Sequence, residues 1–403
     1  IHSRAGNYLP FDFAYNLLQS CEKDGILFTV GDNDTFPLWN IQDVLGVRRD
    51  VRVVNLSLGG TRWYIHQLKN RSPWGAKPIP LSFTNESLEV PEDDPRALTY
   101  DYTDPIKLSI PVSRDILAKY TSDSLTLSRG KFEIMFMGDK MGDENKYLYH
   151  LAHKLVKDII EVTKFERPVY FSITAGSDAY KYGLGRYIRN EGMVLRVCPV
   201  DMAVQKDQGF DVDIMSDCLL NNVDNTDSYK TEPHYGFKFR NLANPDVYYD
   251  EVHRRYLDSY RQTYLNFATY NLQTKNDTTK AVALLNKMNE SISTSMFPLM
   301  YDEEMQIARL YYDAGNIEKA KEYAQLCVNT VNKINSNEAL RGGRVHSLYD
   351  EITGRSGEGT FKSAAYAYKI LNDYQKSAIC LCNFIIISAH ILKTVLTSRN
   401  SRK

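Results

Sequence analysis

The stretch ILFTVGDNDTFPLWNIQDVLGVRRDVRVVNLSL, residues 26–58, decides the fold class. Ile26-Leu-Phe-Thr-Val30 is a short apolar, β-branched run closed by Gly31, the pattern of a buried strand. Thr35 to Leu45 reads as a helix, with Pro37 tolerated in its first turn and Gly46 just past its end. Val51 to Leu58 is a second apolar strand. Strand, helix and strand in that order imply two parallel strands joined by a right-handed crossover.

The pattern extends in both directions. Upstream, Phe11, Ala14, Tyr15, Leu17 and Leu18 recur at helical spacing between Pro10 and Cys21. Downstream, a helix is predicted over 61–70, and the texture then changes. Between 77 and 138, short β-rich runs at 80–83, 106–112 and 131–137 alternate with Pro, Asp and Asn, which predicts a β-rich insertion. The α/β alternation resumes with a helix over 147–163, a strand over 168–174, a helix over 180–190 and a strand over 194–200. The expectation is a small doubly wound parallel sheet of four strands in residues 1–202. Residues 203–250 are polar, with Asn221, Asn222, Asp224, Asn225 and Asp227 close together, and read as a linker or loop at the domain boundary. From 251 to 403 the chain reads as helical. There Ala308, Tyr311, Gly315, Ala320, Ala324 and Cys327 have the small-and-large spacing of a tetratricopeptide helix pair, echoed at Ala365, Tyr368, Asn372 and Ser377. The period is not constant, so the expected architecture is a set of degenerate tetratricopeptide-like repeats, which typically offer a concave surface to a protein.

Composition narrows the class of function. Hydrophobic residues are 43% and charged residues 25% of the 403, the balance of a folded globular protein. The formal net charge of −1 and the lack of a Lys/Arg cluster give no support to a nucleic-acid partner. The six cysteines, at 21, 198, 218, 327, 380 and 382, are irregularly spaced and mostly flanked by apolar residues, as buried free thiols are. Cys380 and Cys382 do not have zinc-knuckle spacing. The first residue is Ile and no apolar leader follows it, so the chain reads as cut from something longer. The nearest candidate for a spanning segment, 378–392, holds Asn383, Ser388 and His390 and is shorter than about 20 residues. The apolar Ile385 to Ile387 and the basic end from Arg399 to Lys403 have no counterpart in the repeat pattern.

Chemistry concentrates at strand ends. Gly31-Asp-Asn-Asp-Thr35 follows the first strand, where ligands of open α/β sheets bind. Asp32 and Asp34 offer hard oxygens to a divalent cation, the one cofactor this loop suggests, with Asn33 as a neutral helper; Asp32, Asn33, Asp34 and Thr35 could equally hold sugar hydroxyls. The competing reading is that these residues only cap the helix that follows. Asn55 ends the second strand, and Arg62, Trp63 and Tyr64 resemble a platform for a sugar or anion, or a packed helix start with one snorkelled cation. Thr174-Ala-Gly-Ser177 ends the third strand on the same edge. His150 and His153 share a helix face, a metal-ligand spacing that lacks an obvious third ligand. No Walker loop, HExxH or GxSxG motif is present, and Gly183-Leu-Gly185 lacks the third glycine of a dinucleotide fingerprint.

Taken together, Asn7-Tyr8, Phe11 to Leu18, Ile26 to Trp39, Asp50 to Ser57, Trp63-Tyr-Ile65, Arg167 to Phe171, Glu191-Gly192 and Phe297 to Asp302 resemble a domain-of-unknown-function family of large membrane proteins common in the Bacteroidetes group. The resemblance runs from Asn7 to about Asn329. It implies a polytopic N-terminal half like that of glycosyltransferases using a lipid-phosphate sugar donor, whose animal relatives are protein O-mannosyltransferases. It places this chain on the periplasmic side of a bacterial inner membrane, and it leaves the catalytic carboxylate in the half that is not in this sequence. The implied role is an accessory domain positioning acceptor polypeptide or glycan beside the transmembrane half of the same protein. Two alternatives stand beside it: a self-contained, metal-dependent carbohydrate-active domain using Asp32 and Asp34, and a non-enzymatic scaffold for other proteins.

Overall fold

The computed structural model describes residues 3–142, 145–336, 360–377 and 380. Contacts divide the chain into two units, Ile1–Thr263 and Tyr264–Lys403. The tail readings at 382–403 lie outside the described residues.

Unit 1 begins with α1 (Leu9–Gln19), β1 (Ile26–Thr29), α2 (Gly31–Leu45), β2 (Arg52–Asn55) and α3 (Arg62–Asn70). The insertion holds α4 (Asn85–Glu89), β3 (Asp101–Thr103), β4 (Ile106–Pro111), α5 (Arg114–Leu117), α6 (Ser124–Arg129), β5 (Lys131–Phe136) and β6 (Asp139–Lys140). Then come β7 (Tyr147–Tyr149), α7 (Leu151–Thr163), β8 (Val169–Ser172), α8 (Gly176–Lys181), β9 (Ile188–Glu191), β10 (Val194–Val197), α9 (Val212–Ser216) and α10 (Glu251–Gln273), within which the contacts divide.

The main sheet has the order β2-β1-β8-β10-β9, with β1 parallel to both β2 and β8. The strand–helix–strand reading of residues 26–58 therefore holds, and β2 is an edge strand. Alternation sorts the sheet's side chains. Ile26, Phe28, Val54, Val169, Phe171 and Leu195 join the core with α3 and α7. Leu27, Val53 and Tyr170 fall on the other face.

The structure corrects the far side of the sheet. β10, predicted as a fourth parallel strand, runs antiparallel to both β8 and β9. The helix predicted over 180–190 is instead the end of α8, a turn, and β9. Gly192 is responsible: at φ +63 it sits in the left-handed region, and it opens a tight turn between β9 and β10. A Cβ there would meet Ser20 Oγ at 2.4 Å. In the insertion, β4 and β5 form an antiparallel pair as the alternation suggests, but residues 80–83 are irregular. Residues 147–149, predicted as the start of a helix, pair with β3 and β6.

Residues 203–250 are not a free linker. Phe237, Lys238, Phe239 and Arg240 are buried, and two of them, Lys238 and Arg240, bond to α1. Lys238 N donates to Asn16 Oδ1 at 2.8 Å, and Arg240 N to Asp12 Oδ2 at 2.8 Å. The polar residues that suggested a linker are partners here: Asn225 accepts from Phe239 N, and Asp227 from Arg240.

Unit 2 is helical: α11 (Thr278–Ser291), α12 (Tyr301–Asp313), α13 (Ile317–Ser336) and a further helix, Thr360–Ile370. Ala308, Ala320, Ala324 and Cys327 are fully buried, consistent with small residues bringing α12 and α13 together, and Tyr311 stacks on Tyr323 with ring centroids 5.7 Å apart. Cys21, Cys198, Cys218 and Cys327 are buried free thiols. Among the described residues, no helix is long and apolar enough to cross a membrane.

Candidate functional site

The acidic loop is not a loop. Gly31, at φ +73, turns the chain out of β1 and is already the first residue of α2, whose N-terminus has no side-chain cap. The polar residues instead tie the start of the helix to three strand ends. Thr35 Oγ1 donates to Gly31 O at 2.7 Å and lies 2.8 Å from Thr29 Oγ1 of β1. Asn55 of β2 donates to Gly31 O at 2.9 Å and to Thr35 Oγ1 at 2.7 Å. Asp34 accepts hydrogen bonds from Thr174 and from Ser172 of β8. Burial raises the Asp34 carboxyl above its ordinary range, against the pull of Thr174 and Ser172.

Pro37 explains one further contact. It lacks an N–H, so the Asn33 carbonyl four residues earlier has no helical donor. The Tyr256 hydroxyl of α10 takes that place, donating to Asn33 O at 2.6 Å, while its ring stacks on Phe13 at 4.2 Å. Tyr256→Phe is expected to destabilise unit 1 by about 1 kcal/mol, read as a lower denaturant midpoint in tryptophan fluorescence. An unchanged midpoint would mean that water replaces the bond at no cost.

Of the residues proposed to bind a ligand, Asp34, Thr35 and Asn55 thus converge, but on one another. Asp32 and Asn33 are exposed. A cation shared by Asp32 and Asp34 gains no support from this geometry, because the Asp34 carboxylate is buried and already committed to two hydroxyls. Arg62 points elsewhere, donating to Val90 O and pairing with Glu92. Tyr64 is buried, and its hydroxyl accepts from Asn55 N at 3.0 Å. Trp63 is 58% exposed.

Trp63 leads to the feature that strand-end reasoning missed. An open cleft of about 860 Å³ runs along the edge of β2, between α2 and α3. Trp39, Trp63 and Trp74 line it, and these are the chain's three tryptophans. Val51, Arg52 and Val53 lie along its length. Asp43 accepts from Trp74 Nε1 at 3.2 Å, and Arg49 sits over the Trp74 ring at 5.5 Å. The volume is within the range of ligand pockets, and the mix of aromatic walls with a few polar groups is typical of them. The available signal in the sequence was the confinement of every tryptophan to residues 39–74.

The histidine pair is structural. His153 Nδ1 accepts from His150 N at 3.1 Å, and burial lowers the His153 imidazole's affinity for protons. Both Nε2 atoms face Asp139, at 3.7 and 3.8 Å. Among the described residues, no group of three or more His, Cys, Asp or Glu is arranged to hold a metal ion.

No curated protein and no solved structure matches the chain. A family model does: the one described as TMEM260-associated domain 2 matches residues 10–128 and 107–215, together just over half of the chain. Those residues contain the whole five-stranded sheet, the insertion and the tryptophan-lined cleft. The chain therefore belongs to the TMEM260-associated domain 2 family.

Proposed function

We propose that this chain is the extramembranous accessory part of a protein O-glycosyltransferase, on the periplasmic side of a bacterial inner membrane. It presents acceptor polypeptide to a polytopic half that carries the lipid-phosphate sugar donor and the catalytic carboxylate. The observation that carries this reading is the open, tryptophan-lined cleft in a domain of a family named for its association with TMEM260. The polar cluster at Asp34 supports it indirectly. Its groups satisfy one another, so it braces the strand ends beside the cleft rather than offering chemistry of its own. The helical unit is a second surface on which an acceptor could be held.

The test is excision of this region from the parent protein. Transfer to a polypeptide acceptor is expected to fall at least about tenfold, while the remaining membrane half still binds the lipid-linked donor. Undiminished transfer would remove the accessory role. Transfer by the isolated chain would move the chemistry into it.

A further inference from the structure

We infer that the cleft beside β2 binds an extended stretch of polypeptide, which adds to the sheet as a short strand. The inference deepens the accessory reading by naming what the site takes: an unfolded or extended segment, recognised through its backbone, rather than a glycan.

The argument starts from the ladder between β1 and β2. Arg52 N donates to Gly25 O at 2.9 Å and Leu56 N to Thr29 O at 2.8 Å, so residues 52, 54 and 56 turn their backbone groups toward β1. Residues 51, 53 and 55 must then turn theirs outward, to the free edge. Two of these three positions are closed by the protein itself. Val51 N donates to Arg48 O at 3.0 Å, and Val51 O accepts from Gln42 Nε2 at 2.8 Å. Asn55 N donates to the Tyr64 hydroxyl. Between them, the outward N–H and C=O of Val53 have no partner among the described residues. Val53 keeps only 6% of its surface, and it lines the cleft.

An unpaired donor and acceptor on a single edge residue match one residue of an extended chain. Val53 N–H donates to a peptide carbonyl, and Val53 C=O accepts from the N–H of that same residue. A sugar hydroxyl does not require that paired geometry. The tryptophans on α2, on α3 and at residue 74 supply broad faces for the side chains on either side of the added strand. Charge narrows the occupant further. Arg52 spends its guanidinium on the carbonyls of Leu68, Arg71 and Lys77, and neither Arg52 nor Arg71 has a carboxylate partner among the described residues. Asp43 is engaged by Trp74. The α3 end of the cleft thus favours a segment carrying an acidic side chain.

The experiment pans a random-peptide library on the full chain and measures the selected peptides in solution. With every tryptophan in the cleft, intrinsic fluorescence reports binding there. Val53→Pro removes the outward donor and leaves the inward ladder intact, a substitution edge strands accept. Trp63→Ala removes an exposed wall, and keeps the test valid if the proline variant fails to fold. The expected result is peptides that shift the tryptophan emission and lose at least about tenfold in affinity in either variant, and on N-methylation of one peptide bond. Failure to select any peptide, or binding that ignores both variants and N-methylation, overturns the inference. Peptide capture without transfer by the parent protein supports the cleft while removing the accessory reading; transfer without peptide capture removes the cleft.

Discussion

Asp12→Ala is expected to destabilise unit 1 by about 3–5 kcal/mol, because it strands a buried guanidinium. Asp12 lies in the first turn of α1 and is 2% exposed. Its Oδ1 accepts from Arg240 Nε at 2.9 Å and Nη2 at 2.6 Å, and its Oδ2 from the Arg240 backbone N–H. Burial raises the Asp12 carboxyl, and Arg240 pulls it back. Arg240 is itself buried, with the rings of Tyr8 and Tyr229 at 4.2 and 4.9 Å from its guanidinium carbon. Without Asp12, its remaining carboxylate among the described residues is the largely exposed Asp227. The pair closes residues 237–240 onto α1, so the loss falls on the long segment that looked like a linker.

All three tryptophans lie in unit 1, so tryptophan fluorescence follows its unfolding separately from the helical unit. The midpoint in urea should fall steeply in Asp12→Ala and partly recover in Asp12→Ala with Arg240→Met, since the second change removes the unpaired charge. A loss below about 1 kcal/mol in the single variant would show that water reaches Arg240 and that the pair is a surface contact in practice.

Asp12 also shows what could be read from the chain and what could not. Local pattern sufficed for β1, α2 and β2, because an apolar run, a glycine and a second apolar run leave one right-handed crossover as the solution. It failed at residues 180–190, where a helix was expected, while the strand after them was right in place and wrong only in direction. There Ile188, Arg189, Asn190 and Glu191 are consecutive positions of a strand whose inward residues include a charged one: Glu191 is fully buried, held by Arg189 at 2.5 Å. A buried ion pair defeats any reading that equates burial with apolarity. The same effect hid the role of residues 203–250, where polar side chains find polar partners more than two hundred residues away.

The candidate site divides in the same manner. That Asp34, Thr35 and Asn55 meet at the strand ends follows from topology alone, since parallel strands bring those ends together. Thr174 was expected on that edge, but that it and Ser172, the last residue of β8, spend their hydroxyls on Asp34 could not be read. The cleft was less legible still. It depends on β2 being an edge strand, and strand order is a long-range property.

Glu304 yields the second large effect, and it is one of pH. The side chain is in the first turn of α12 and is 2% exposed. Oε1 accepts from Thr330 Oγ1 at 3.0 Å, and Oε2 has no partner among the described residues. Burial pushes the carboxyl up to about 7, and Glu303 and Asp302 push in the same direction against Thr330. The folded protein therefore holds a proton on Glu304 in a range where the unfolded chain, titrating near 4.5, has lost it. Stability falls with rising pH wherever the folded state binds more protons. The contribution of Glu304 is thus fully present below about 4.5, declines as pH rises to about 7, and is absent above that. Glu304→Gln keeps the shape and the Thr330 partner but cannot ionise. It is expected to stabilise unit 2 above neutrality by about 1–3 kcal/mol and to show no such decline. Far-ultraviolet dichroism follows the helical unit while tryptophan emission reports unit 1. The decisive quantity is the difference between wild type and Glu304→Gln across that window, since other titrating groups cancel in it. A difference that stays flat with pH would mean that Glu304 is ionised in the folded state throughout, its second oxygen solvated rather than stranded between α12 and α13.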